Sequence, residues 1–168
     1  MSDLEYILTH THKEEMVAYV QQHPETFEEL IQLALADKYI YSWRAAWLLW
    51  DCAKPNDPRL QPYLPDFVAA LKEKEDNHAR EICKILYLME IEEAFEGQLF
   101  DICVEFWTKI NKKPAVRLNA FKLLLKIAAK HPELRDEMSF LVEDHYLEEL
   151  SPGVKHSTAK MIKAFFKS

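Results

Sequence analysis

Three stretches of the chain lie over one another: WRAAWLLW from Trp43, AREICKIL from Ala79 and VRLNAFKL from Val116. Each has arginine second (Arg44, Arg80, Arg117) followed by a largely apolar run, and the starts are 36 and 37 residues apart. A fourth copy begins at VKHSTAKM, Val154, with Lys155 in the arginine slot. HPETFEELIQLALAD and HPELRDEMSFLVED also echo each other. Self-similarity at this period is the mark of stacked helical hairpins, each burying its apolar face only against its neighbours. The predicted fold class is therefore all-α, an α-α superhelix of eight or nine helices. Its 168 residues suit one α-solenoid domain, residues 1–168, with a real core.

Composition supports the same fold. The only glycines are Gly97 and Gly153, and strands, tight hairpins and phosphate-cradling loops all consume glycine. Hydrophobic residues at 49% and charged residues at 29% describe a globular chain. No apolar run reaches the roughly 18 to 20 residues of a membrane span, so no membrane partner is expected. The opening MSDLEYILTHTHKEE lacks the basic and apolar regions of a leader. Cys52, Cys83 and Cys103 are odd in number and widely spaced. They are expected to be free buried thiols in a reducing, cytoplasmic compartment, with no metal and no cofactor.

Local signals place the helices. Ser2-x-x-Glu5 and Thr11-x-x-Glu14 are both capping boxes by pattern. His23-Pro24, Lys54–Pro58, Asn111–Pro114 and His131-Pro132 break the apolar periodicity. Ser151-Pro152 opens the last helix.

The aligned stretches, with arginine near the start of a helix and Trp47, Cys83 or Ala120 three residues later, resemble HEAT or armadillo-like repeats. With SWRAAWLLW, AREICKILYLM and LVEDHY, the whole chain is similar to a family of short bacterial helical-repeat proteins. Some of those carry the label adenylosuccinate lyase. It does not fit here, because the enzyme's Ser- and Gly-rich signature loop has no counterpart and the chain is far too short. The resemblance implies a fold and a protein-binding scaffold, and no chemistry.

Trp43, Trp47 and Trp50 sit at i, i+4 and i+7, so they share one helical face. Ala46, Leu48 and Leu49 make that helix apolar nearly all round, as in a central buried helix. Core packing is the favoured reading, with Trp47→Ala costing roughly 3 to 5 kcal/mol. An aromatic binding site would instead need a ring open to solvent. HEAT-like DNA glycosylases hold a damaged nucleotide with a tryptophan, an aspartate and an arginine in one cleft. Trp47, Asp51 and Arg80 resemble that set, although the spacing to Arg80 is not matched. The plainer role for Arg44 and Arg80 is capping or ion pairing between successive repeats.

Charge is unevenly distributed. The net is −7, yet residues 109–130 hold seven basic residues and no acid. Lys122, Lys126 and Lys130 form a stripe at i, i+4, i+8 and, with Arg117, make the candidate partner-binding surface. A solvated face is the plainer alternative. The expected partner is a protein, an acidic one if the stripe is used, or a second copy through its acidic first 37 residues. Nucleic acid is disfavoured by a pI near 5.5. No catalytic arrangement of Ser, His, Cys or Asp is recognisable, and His10 and His12 read as a loop. The chain is thus expected to be a non-catalytic interaction module, with a nucleic-acid or damaged-base-binding protein as the alternative.

Overall fold

The computed structural model describes residues 1–168 and contains eleven α-helices, three short 3-10 turns and no strand. Short helices account for the excess over eight or nine: α10, Asp144–Leu147, has four residues. The chain divides into two compact units, Met1–Glu90 and Ile91–Ser168, each taken by itself below.

The first unit holds α1 (Asp3–His10), α2 (Lys13–Gln22), α3 (Phe27–Leu35), α4 (Tyr41–Cys52), α5 (Leu64–Leu71) and α6 (Asp76–Leu88). The first capping box forms: the Ser2 hydroxyl accepts the Glu5 N–H at 3.1 Å and the Glu5 carboxylate accepts the Ser2 N–H at 3.2 Å. The second does not. His12 is the N-cap of α2 and makes no side-chain cap, while the Thr11 hydroxyl donates back to the Ile7 carbonyl at 2.8 Å. Only two residues join α1 to α2, and Thr11 is used to close the first helix.

Helix α4 packs on α1, α2, α3 and α6. Its buried face is Ser42, Ala45, Ala46, Leu48 and Leu49. The helical period then sets Trp43, Trp47 and Trp50 on the opposite side, where all three are half-buried. This corrects the expectation that Trp47 lies in the core.

The turn after α4 is tied down by Asp57, whose carboxylate is 2% exposed. It accepts the Lys54 and Arg59 N–H groups at 3.2 and 3.0 Å and the Arg59 guanidinium at 3.0 and 2.8 Å. The Arg59 side chain holds this carboxyl down at about 2. Asn56, at φ 55°, adopts a left-handed conformation that asparagine tolerates, and its N–H donates to the Leu88 carbonyl at 2.7 Å. Ile40, the N-cap of α4, has φ 69°. A β-branched residue is strained there.

The second unit holds α7 (Glu93–Thr108), α8 (Pro114–Ala128), α9 (Arg135–Leu141), α10 and α11 (Pro152–Lys167). Helix α8 packs on α7 and α11. The fully buried tryptophan is here. Trp107 lies against Phe121 with ring centroids 4.5 Å apart and donates its indole N–H to the Leu141 carbonyl at 2.7 Å.

Candidate functional site: a tryptophan and arginine cleft

A cation closes the C-terminal end of an earlier helix in each aligned repeat. Arg44 Nη1 donates to the Leu8 carbonyl of α1 at 2.9 Å. Arg117 Nε donates to the Trp107 carbonyl of α7 at 2.9 Å. These carbonyls have no partner within their own helix and carry its negative dipole end, so a cation is favoured there. The middle repeat does this differently. His78 Nε2 donates to Ala34 O at 2.6 Å, and Lys74 Nζ reaches Leu35 O and Ala36 O at 2.8 and 3.0 Å, all at the end of α3. Burial pulls the His78 pKa below its usual value, which suits a neutral ring donating one N–H. With that end already capped, Arg80 is spared the task.

Arg80 instead lines a cleft of about 620 Å³ in the first unit. Trp43 and Trp47 form part of its wall from α4, together with Arg44, and Met16 adds apolar surface from α2. Lys13, Arg80 and Lys84 supply three more cations, against the single carboxylate of Glu81. Arg80 and Lys84 stand one turn apart on α6, so they share a face. Glu81, whose side chain is 2% exposed, holds both: Arg80 Nε donates to Oε1 at 3.1 Å, and Lys84 Nζ lies 3.3 Å from Oε2 as an ion pair. Lys13 Nζ pairs with Asp51 Oδ2 at 2.9 Å and stands 5.3 Å from the Trp47 ring centre. Lys84 Nζ stands 4.1 Å from that of Trp50. Such cation-π contacts leave charge and ring face side by side at the cleft.

The structure therefore brings Trp47 and Arg80 to one cleft. Asp51 lies one turn beyond Trp47 and is engaged by Lys13. The other candidate set is divided. Arg117 has no place on a surface stripe: it is 0% exposed and donates to the Trp107 and Tyr146 carbonyls, with its guanidinium carbon 4.7 Å from the Trp107 ring centre. Burial lowers its pKa. Lys122 and Lys126 are half-buried on α8. Lys130 is exposed, pairing with Glu96 at 3.2 Å and donating to Ile91 O at 3.2 Å. His10 stacks on Tyr6 with centroids 4.1 Å apart, while His12 lines the cleft.

Of the alternative set Trp47, Asp51 and Arg80, the sequence points to two members of this cleft; Trp43, Arg44, Lys13 and Lys84 are lining residues it does not single out. Signals for them were present: arginine beside Trp43, and Arg80 and Lys84 at i, i+4.

The family model described as HEAT repeat domain matches residues 2–165. The chain belongs to this HEAT repeat family. Comparison with curated proteins and with solved structures gave no match. The HEAT repeat assignment explains the recurring arginines as packing and capping residues. It also makes the chain a helical-repeat module, a kind of scaffold commonly used for protein interaction. No helix is long and apolar enough to cross a membrane.

Proposed function

We propose that this HEAT repeat protein is a non-catalytic protein-interaction module of the cytoplasm, and that its main docking surface is the tryptophan and arginine cleft of the first unit. One observation carries this reading. The segment Met1–Glu90 has sixteen acidic and nine basic residues, yet four of the nine line this cleft against one carboxylate, beside two half-exposed indoles. Tryptophan and arginine are the residues most enriched in binding hot spots, because each combines large contact area with directed polar groups. The cytoplasmic assignment is supported by three free cysteines. Burial first, then the neighbouring Asp51, pushes the Cys52 thiol up to about 11, so it is a poor nucleophile. Lys122, Lys126 and Lys130 are proposed as an auxiliary contact for an acidic partner, without Arg117.

A second reading, nucleic-acid or damaged-base binding, is favoured by Trp47 and Arg80 sharing the cleft. It is weakened by the Lys13–Asp51 pair, which occupies the aspartate such a site would use. The test is affinity capture from native lysate with wild type and with Arg80→Glu and Trp47→Ala. Proteins retained by wild type and lost in both folded variants support the docking reading. Identical captures reject it.

A further inference from the structure

We propose that the cleft recognises an acidic peptide segment carrying a bulky apolar side chain, with Arg80 as the carboxylate receptor. This rests on the docking reading above.

Arg80 engages Glu81 through Nε alone, and both of its terminal nitrogens are without an internal hydrogen bond. Buried Glu81 thus acts as a positioning residue. It fixes one edge of a planar guanidinium whose other edge is free for two parallel bonds to a carboxylate. Arg80 is 33% exposed, which makes that edge reachable. Lys84, paired with Glu81, and Lys13, paired with Asp51, add positive charge on either side of Arg80. Between these cations, Trp43 and Trp47 offer apolar faces to a side chain adjoining the carboxylate.

Charge selects a short acidic segment over a polymer of phosphates. The first unit carries net −7, whereas the cleft lining holds four cations and one carboxylate, so attraction for an anion is local and a long polyanion meets net repulsion from the unit. Screening ends the reach of that attraction within about 8 Å at physiological salt. One or two carboxylates beside an apolar residue fit inside a cavity of about 620 Å³.

The test is fluorescence anisotropy with a labelled short peptide alternating glutamate and phenylalanine. Glutamine–phenylalanine and glutamate–serine versions and a short oligothymidylate serve as the other probes. The first peptide is expected to bind best and to weaken as salt rises. Arg80→Lys, which keeps the charge but loses the fork, is expected to weaken it about fivefold. Arg80→Glu is expected to abolish it, while Lys54→Glu, the same charge change on an exposed residue outside the cleft, leaves binding within about twofold. Equal binding of the glutamine or serine version overturns the acidic-apolar specificity, and so does failure of every probe to bind. Tighter, Arg80-dependent binding of oligothymidylate overturns the ligand class while leaving the cleft as a site. Peptide binding unchanged by Arg80→Glu removes the cleft itself, and the docking reading with it.

Discussion

The same substitution at two tryptophans should give very different losses of stability. Trp107 is fully buried, lies on Phe121, faces the Arg117 guanidinium and donates to Leu141 O. Trp107→Ala removes a large buried ring, about 3 to 5 kcal/mol, and leaves a buried carbonyl without its donor, about 1 kcal/mol or more. A total of roughly 4 to 6 kcal/mol is comparable to the whole stability of a small domain. A loss of that size would unfold the second unit, so Trp107→Phe is the working measurement. It keeps most of the aromatic area and loses the hydrogen bond, at a cost of about 1.5 to 3 kcal/mol. Trp47 is half-buried and gives up a fraction of that area, so Trp47→Ala should cost about 1 to 2 kcal/mol. Urea denaturation followed by far-UV circular dichroism measures all of these on one footing. A loss of 3 kcal/mol or more for Trp47→Ala, or one no larger for Trp107→Phe than for a surface change of about 0.5 kcal/mol, would refute the division of the tryptophans into core and cleft.

Arg117→Lys keeps the buried charge but not the two-point reach to the Trp107 and Tyr146 carbonyls. It should cost about 1.5 to 3 kcal/mol in the same assay, whereas a surface role predicts a change within about 0.5 kcal/mol. Asp57 sits at about 2 against an ordinary 3.8, which corresponds to roughly 2 kcal/mol. Because the folded value is depressed, that stability is complete above about pH 4 and fades as pH falls toward about 2. Asp57→Asn should therefore be weaker than wild type by about 2 kcal/mol at neutral pH and nearly equal to it at about pH 2, and an equal deficit at both would contradict this. If α8 also meets acidic surface, on a partner or a second copy, self-association should appear in sedimentation at low salt and vanish with Lys122→Glu and Lys126→Glu. A monomer at every salt concentration would exclude the second-copy version.

Much of the fold could be read from spacing alone. A 36 to 37 residue period and two glycines leave little but stacked helices, and the HEAT repeat match over residues 2–165 agrees. Local sequence is ambiguous where a residue has two possible partners. Thr11 could cap α2 or close α1, and local sequence does not choose between them. The short α10 carries no apolar stripe and is held by its surroundings. The arginine register was correct, but only tertiary contacts decide what each arginine meets. Arg117 is enclosed because Trp107 and Tyr146 come to it from 10 and 29 residues away. Arg80 pairs with Glu81 and lines the cleft, while His78 and Lys74 reach the end of α3 from 38 to 44 residues away. Size alone is a poor guide to the tryptophans: α4 buries Ser42, Ala45, Ala46, Leu48 and Leu49, and Trp43 and Trp47 line the cleft.

If the proposed docking surface is right, Trp43 and Trp47 meet the ligand while Trp107 stays in the core. Isotope-edited NMR of the four indole N–H groups, during titration with the glutamate–phenylalanine peptide, observes this residue by residue. The Trp43 and Trp47 signals should move progressively to saturation while that of Trp107 stays in place. Four stationary signals, or a Trp107 signal that moves together with the others, would contradict it.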